Sequence, residues 1–195
     1  IHRPDFQREP AEADTALLPG IIRPIKGHHI AVEAMQHLDD ITLRIVGGVG
    51  DQEYYEEVCD LVEQLNLSDR VEFVPEFVPE QELFRELREA NLVILPYEHH
   101  TSMSGMLSHC ISWRVPTLVT DCPAFRSVLP IEEAFFEERT PKRIANRIQD
   151  VRIGLAQQER LIRQFGELSE RYSWASIGER TVELYVTYAD TKDDD

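Results

Sequence analysis

The stretch Ala16-Leu17-Leu18-Pro19-Gly20-Ile21-Ile22-Arg23-Pro24-Ile25-Lys26-Gly27 decides the fold of this protein. Its apolar first half has the length of a strand, and its second half is a loop containing glycine and proline. After Gly27, apolar residues recur at helical spacing between Ile30 and Leu38. We therefore predict a strand over residues 16–22 that continues through this loop into a helix.

Strand-like and helix-like segments alternate along the rest of the chain. The further predicted strands cover residues 41–46, 71–74, 92–95, 117–119 and 134–136. The further predicted helices cover residues 80–90, 105–114, 155–171 and 174–189, with one more capped by Asp51 and one more beginning at Pro141. This alternation is typical of an α/β fold, in which right-handed crossovers build a doubly wound parallel sheet.

The loops that follow the strands of such a sheet meet at one edge, and ligands bind there. In this chain those loops cover residues 20–29, 47–51, 75–79, 96–105 and 121–127. We therefore expect a ligand site built from these five loops.

Composition narrows the class of protein further. The chain has 195 residues, which suits a single α/β domain. Its net charge of −16 argues against a nucleic-acid-binding surface, because phosphate neutralisation requires clustered lysine and arginine. Its apolar runs are too short to span a membrane. We expect a linker over residues 1–15, the domain over residues 16–189 and a solvated tail over residues 190–195.

The terminal sequence and the cysteines suggest a compartment. Arg3 and Asp5 interrupt any apolar region that could open a signal peptide. Cys59, Cys110 and Cys122 are an odd number without CxxC spacing, so a disulfide framework is not expected. These features favour a reducing, cytoplasmic location.

Two loops carry groups that suit an anion. In the loop that Gly20 opens, Arg23 and Lys26 offer cationic donors next to a predicted helix N-terminus, where a diphosphate would be stabilised. A βα turn with solvated basic residues explains the same pattern equally well. In the second loop, Ser104 and Gly105 place backbone N–H groups at a helix start. Taken alone, this second pattern is more typical of an ordinary serine cap.

Other candidate sites are weaker. His28, His29, His99, His100 and His109 fall on the predicted loops, but their spacing is not that of a metal site. The run Gly47-Gly48-Val49-Gly50 does not match the glycine pattern of a dinucleotide site. An aromatic residue such as Trp174 can stack on a base or sugar, although it more often pins a terminal helix to the core.

Several motifs, taken in order, resemble the C-terminal domain of GT-B glycosyltransferases, and most closely the retaining, metal-independent "group 1" family. The motifs are Gly20-x5-Lys26-Gly27, Ile45-Val46-Gly47-Gly48, Arg70-Val71-Glu72-Phe73-Val74, Ala90 to Pro96, Pro116 to Asp121 and Tyr172-Ser173-Trp174. The similarity covers about residues 16–188. A subgroup resembles the chain in its IRPxKG, VPxxE-like and PYxxxxxSG loops, seen here as residues 22–27, 77–80 and 96–105.

The resemblance implies a Rossmann-like domain that binds a nucleotide diphosphate-sugar. It implies a diphosphate contact for Lys26, with Arg23 in place of the family's arginine, and catalysis without a cofactor. The phosphate-facing loop matches Ser104-Gly105, and the base-contacting turn matches Glu76-Phe77. The acceptor would be held by an N-terminal domain missing here, so this fragment would be inactive alone. The full-length protein would be membrane-peripheral.

The chain departs from the family at two functional positions. The paired glutamates Glu-x7-Glu correspond to Thr101 and His109, which offer neutral hydrogen bonds to the sugar and ribose. Two main functions therefore stay open, with a GT-B-like epimerase or phosphorylase as a weaker third. One is a glycosyltransferase domain, and the other is a degenerate, non-catalytic module that binds a nucleotide or a protein.

Overall fold

A computed structural model describes residues 14–98, 104–136 and 138–190, and it contains a six-stranded sheet. The strand order is β3-β2-β1-β4-β5-β6, and each neighbouring pair is parallel. The strands are β1 Thr15–Pro19, β2 Thr42–Val46, β3 Val71–Val74, β4 Leu92–Leu95, β5 Thr117–Thr120 and β6 Phe135–Phe136. The predicted doubly wound parallel sheet is confirmed.

Helices join the strands. They are α1 His28–Ala34, α2 Gln52–Gln64, α3 Glu80–Glu89, α4 Gly105–Ser112, α5 Pro123–Arg126, α6 Pro141–Ile153, α7 Leu155–Arg171 and α8 Trp174–Asp190. Short 3-10 turns cover Pro24–Lys26, Met35–His37 and Glu132–Ala134. The central strands β1 and β4 are buried on both faces, as the lack of apolar alternation in their sequences indicates.

Several helices begin where their sequences predict a cap. The Asp51 carboxylate accepts a hydrogen bond from the Tyr54 amide at 3.1 Å, so α2 starts as expected. Thr140 caps α6 in the same way, with its hydroxyl 3.4 Å from the Arg143 amide. These caps fix the points at which the loops of the sheet edge end.

The first strand is shorter than predicted. It ends at Pro19, because Gly20 turns the chain with a φ of 126°. Ile22 is buried not as part of β1 but through an isolated parallel bridge to Val49. The last residues of the predicted strand therefore belong to the loop, and they pair with the loop that follows β2.

The interpretation of Trp174 as an anchor to the core is wrong. Trp174 is 81% exposed at the first turn of α8, which packs along α7. Leu184 and Tyr185 farther along α8 are also exposed, at 71% and 70%. Within the described residues, no helix is both long and apolar enough to cross a bilayer.

Candidate functional site at the sheet edge

The strand order reverses direction between β1 and β4, which lie side by side in the sheet. The chain proceeds from β1 toward β2 and β3 on one side, and from β4 toward β5 and β6 on the other. In open parallel sheets, the crevice beyond this switch point is where ligands bind. The loops after β1 and β4 carry the predicted site residues Gly20, Arg23, Lys26, Thr101, Ser104 and Gly105.

The loops after β1 and β2 are fastened together. The Ile22 amide donates to the Gly48 carbonyl at 2.9 Å, and the Gly50 amide donates to the Ile22 carbonyl at 3.1 Å. A Cβ at Gly50 would lie 2.5 Å from the Nε atom of Arg23, so the guanidinium of Arg23 runs close over this glycine. A Cβ at Gly20 would meet no atom within 4 Å, so Gly20 faces open space.

The loop after β3 joins the same group. A Cβ on Gly48 would lie 3.6 Å from the backbone nitrogen of Phe77 and 3.9 Å from the carbonyl carbon of Glu76. Both Glu76 and Phe77 are exposed, and the Phe77 side chain is 87% accessible. The structure therefore brings the predicted base-contacting turn next to the loops that follow β1 and β2.

Gly27 brings the loops after β1 and β4 into close contact. Its φ of 73° is left-handed, and a Cβ there would lie 2.2 Å from the Pro96 carbonyl oxygen. The Glu98 amide donates to the Ile25 carbonyl at 2.9 Å on the same boundary. Only glycine allows the two backbones this close approach.

Lys26 and Ser104 are linked through Tyr97. The Lys26 ammonium lies 3.7 Å from the centroid of the Tyr97 ring, a cation–π contact. The buried Tyr97 hydroxyl lies near the side chain of Ser104. Burial lowers the pKa of Lys26, and the nearby Arg23 lowers it further. An anion placed against Lys26 would relieve both effects.

No described residue covers the N-terminus of α4. Ser104 accepts from the Leu107 amide at 3.3 Å through its hydroxyl, and from the Ser108 amide at 3.1 Å through its carbonyl. Helix geometry leaves the amides of Gly105 and Met106 pointing out of the first turn. Because a Cβ at Gly105 would meet no atom within 4 Å, a ligand can approach these amides closely.

The predicted anion site at the N-terminus of α1 is occupied by a side chain of the protein. The Tyr54 hydroxyl of α2 accepts from the His29 amide at 3.1 Å and lies 2.8 Å from His29 Nδ1. His28, predicted on an exposed loop, is fully buried beside Tyr54, with ring centroids 6.0 Å apart. The tyrosine thus fills the place at α1 where an anion was expected, and the open helix end is that of α4.

His109 lies on α4 and not at its N-terminal end. Its half-buried ring packs against Phe84 of α3, with centroids 5.5 Å apart. Thr101, the other position that corresponds to a family glutamate, lies outside the described residues, as do His99 and His100. Among the residues that the structure describes, no cluster of three or more His, Cys, Asp or Glu side chains is arranged to hold a metal ion.

Two residues of this edge were not among the predicted site residues. Tyr97 is the second residue after β4, and its position after a buried strand is the signal that could have identified it. Arg139 follows β6, and its guanidinium donates to Glu98 at 2.9 Å and to the Pro96 carbonyl at 3.4 Å. Its sequence neighbourhood carries no motif, so only the fold connects it to the site.

Together these groups form a cationic edge suited to a bound anion. Lys26 and Arg23 contribute positive charge, and the first amides of α4 contribute N–H donors with the favourable end of the helix dipole. The Tyr97 ring orients the ammonium beside this helix start. Such an arrangement stabilises negative charge, including charge that develops on a leaving phosphate.

Comparisons with known proteins identify the family and the fold of the chain. The family described as glycosyl transferases group 1 matches residues 4–165. Among solved structures, sucrose-phosphate synthase from Thermosynechococcus elongatus is similar over 94% of this chain and 47% of its own, with a TM-score of 0.75 and 20% identity. Among curated proteins no sequence matches this chain significantly.

Two further solved structures have the same fold. Anabaena HepE, solved in complex with UDP-glucose, superposes with a TM-score of 0.75 and 16% identity over 90% of this chain and 49% of its own. The C-terminal domain of the group 1 protein LpcC from Francisella tularensis gives 0.72 and 16% over 84% of this chain and 87% of its own.

The chain spans about half the length of the synthase and of HepE, and most of the isolated LpcC domain. Its parallel sheet and helices are those of the Rossmann-like GT-B fold. The family match extends over most of the sequence and includes the loops after β1, β2, β3 and β4. This chain belongs to the group 1 glycosyltransferases.

Proposed function

We propose that this domain binds a nucleotide diphosphate-sugar at the edge formed by the loops after β1 and β4. The sugar is then transferred to an acceptor held by a companion N-terminal domain, with retention of configuration. The observation that carries the proposal is that the Lys26 ammonium and Ser104, at the start of α4, both lie next to Tyr97.

Lys26 and Arg23 act on the diphosphate in this proposal. Lys26 is half-buried, so its charge is screened less than that of a surface lysine. Arg23 is exposed at the mouth of the loop and can reach the outer phosphate. The two cations also offset the repulsion that a protein of net charge −16 exerts on an anionic ligand.

The start of α4 supplies fixed donors. The amides of Gly105 and Met106 hydrogen-bond a phosphate oxygen and stabilise the charge that grows there as the glycosidic bond breaks. Because the helix dipole is already oriented, no reorganisation is needed during the reaction. Catalysis by this half of the site therefore rests on positioning and charge stabilisation.

The remaining predicted residues bind the nucleoside and sugar. The exposed backbone of Glu76 and Phe77 contacts the base, and Gly20 leaves room for the diphosphate beside the loop after β1. Thr101 and His109 provide neutral hydrogen bonds to the sugar and ribose. The UDP-glucose complex of HepE supports a uridine nucleotide as the first ligand to test.

Helix α8 supports the proposal of a companion domain. Its second half exposes Val182, Leu184, Tyr185, Val186 and Tyr188, each more than half accessible. Exposed apolar surface of this extent marks an interaction site, because covering a large apolar side chain is worth about 1.5–3 kcal/mol. The half of HepE that this chain does not cover supports a second domain as the occupant. We propose that α8 packs against it.

Titration of the chain with UDP and GDP tests the donor site. We expect binding in the high-micromolar to millimolar range, because only half of the cleft is present and neutral residues replace both glutamates. Amide chemical shifts at Lys26, Gly27, Gly105 and His109 should move together. The proposal fails if shifts cluster elsewhere, or if none move at several millimolar nucleotide.

A second candidate function is a non-catalytic module of the same fold. One observation favours it: the His109 ring packs against Phe84 of α3 instead of presenting a carboxylate to a ribose. Release of UDP from UDP-sugars by the full-length protein separates the two functions. A transferase releases UDP in an acceptor-dependent way, and a binding module releases none while still binding UDP.

A further inference from the structure

Arg139 joins three loops of the sheet edge. It lies after β6, and its Nη2 atom donates to the Glu98 carboxylate at 2.9 Å. Its Nη1 atom donates to the Pro96 carbonyl at 3.4 Å and would lie 3.4 Å from a Cβ on Gly27. One guanidinium therefore contacts Pro96 and Glu98, two of the first three residues after β4, next to the glycine on which that loop packs.

The ion pair between Arg139 and Glu98 is partly buried and anchored to the backbone. The side chains of Arg139 and Glu98 are 22% and 41% exposed, so the arginine is mostly covered. The Glu98 amide is held by the Ile25 carbonyl at 2.9 Å, one residue before Lys26. Both ends of the Glu98 residue are thus fixed, its amide to the loop after β1 and its carboxylate to Arg139.

The segment from Pro96 to Glu98 connects Lys26 with the start of α4, the two elements proposed to bind the anion. Tyr97, which carries the Lys26 ammonium on its ring, stands between Pro96 and Glu98. From Glu98 the chain leads through residues 99–103 to Ser104, where α4 begins. A displacement of Pro96 or Glu98 would therefore move the support of Lys26 and the start of the loop that ends at Gly105.

We propose that Arg139 is a positioning residue for nucleotide binding, which acts through Glu98 and Pro96 to hold Tyr97 against Lys26. This inference rests on the proposed donor site. Arg139 need not touch the ligand to act, because its two hydrogen bonds go to the Pro96 carbonyl and to the Glu98 carboxylate. Its role is to set the geometry of Tyr97, and through it of Lys26 and Ser104.

The direction of the affinity change in a Glu98 variant distinguishes a positioning role from a purely electrostatic one. If charge alone mattered, replacing Glu98 by glutamine would remove a negative charge from the edge and strengthen binding of an anionic nucleotide. If Glu98 acts by anchoring the loop, the same substitution weakens binding, although it makes the edge more positive. The effect of Glu98→Gln on affinity therefore has opposite signs in the two cases.

The test measures UDP affinity by calorimetry for wild type, Arg139→Gln, Glu98→Gln and the double variant. We expect each single variant to bind about fivefold to tenfold more weakly, and the double variant to bind no more weakly than either single one, since contacting residues are coupled. Arg143→Gln is the matched control, because Arg143 is an exposed arginine of α6 whose ion pair with Glu138 lies outside the loop after β4. It should leave affinity unchanged.

A conservative variant tests the geometry of the Arg139 side chain. Arg139→Lys keeps the charge but cannot bridge Glu98 and Pro96 with one planar group, so it should recover only part of the lost affinity. The positioning role is overturned if Glu98→Gln binds UDP as tightly as wild type or more tightly, or if the losses of the two single variants add. If wild type binds no UDP, or Lys26→Ala binds it normally, the donor site itself fails.

Discussion

The Lys26 ammonium lies 3.7 Å from the centroid of the Tyr97 ring, and the hydroxyl of that tyrosine lies near Ser104 at the start of α4. The loop after β1 is thereby coupled to the start of α4 through a single buried side chain. Burial raises the pKa of Tyr97 to about 12, so its hydroxyl stays protonated and able to donate near neutral pH. The relationship makes Tyr97 the structural centre of the proposed donor site.

Replacement of Tyr97 separates its ring from its hydroxyl. Tyr97→Phe keeps the platform under Lys26 and loses one hydrogen-bonding group, so unfolding free energy should fall by about 1 kcal/mol, with a small loss of affinity. Tyr97→Leu removes the ring and should weaken UDP binding about tenfold, the size of a partly desolvated cation–π contact. Calorimetric titration and urea unfolding of both variants measure these effects. Equal affinities for the Phe and Leu variants would contradict the role given to the ring.

Gly105→Ala should affect the ligand without affecting the fold. A Cβ at Gly105 meets no protein atom within 4 Å, so stability should change by less than about 0.5 kcal/mol. The same methyl group would occupy space in front of the α4 amides, and UDP affinity should fall about tenfold as hydrogen bonds to a charged phosphate lengthen.

Gly178→Ala on α8 is the control for this substitution, since a Cβ there also meets no atom within 4 Å. It should leave affinity unchanged and raise helix stability by about 0.5–1 kcal/mol. Thermal unfolding with and without UDP reports both quantities. Normal UDP binding by Gly105→Ala would show that the ligand does not approach the start of α4.

His28 should make stability depend on pH. Burial is the main cause that lowers its pKa to about 4; the Arg23 backbone partly offsets it, while His29 and Lys26 lower it further. Between pH 4 and about 6.5, the unfolded state binds more protons at this residue, so stability rises with pH. The contribution is complete above about pH 6.5, and about 3 kcal/mol of it is lost as the pH falls to 4.

His28→Phe removes this titration, so the slope of unfolding free energy between pH 4 and 6.5 should decrease. The substitution keeps an aromatic ring beside Tyr54. Urea unfolding at several pH values measures the slope, and His37→Phe on the surface serves as the control. The assignment is wrong if the His28 and His37 variants have the same slope.

The exposed face of α8 should make the chain self-associate when no companion domain is present. We expect the chain to form concentration-dependent oligomers in sedimentation experiments, because Leu184 and Tyr185 leave apolar area in contact with water. The variant Leu184→Lys/Tyr185→Lys should sediment as a monomer with unchanged thermal stability. A wild-type chain that is monomeric at high concentration would contradict the proposed docking surface.

The sequence predicts the layers of this fold well because each strand and helix has its own apolar pattern. The run Leu92–Leu95 lacks alternation and lies buried in the middle of the sheet. Asp51 begins α2 where its residue type predicts a cap. The boundary of β1 was less accurate, because the residues after Gly20 are apolar like a strand but pair with the loop at Val49.

Pairwise relationships across loops could not be predicted from the chain alone. Tyr54 on α2 reaches the His29 amide across 25 positions, and Arg139 reaches Glu98 across 41. Neither contact produces a periodicity or a motif in the sequence. Trp174 shows the converse, since its residue type favours burial while its side chain lies on the surface.

The most direct measurement is UDP affinity for wild type, Lys26→Ala and Lys142→Ala. Lys142 is an exposed lysine at the start of α6, so its variant removes the same charge from the protein away from the loop after β1. We predict that Lys26→Ala weakens binding by about 1.5–3 kcal/mol, the value of a lost charged hydrogen bond, with little change in unfolding temperature. Lys142→Ala should bind UDP like wild type. Equal affinity for wild type and Lys26→Ala would contradict the donor site.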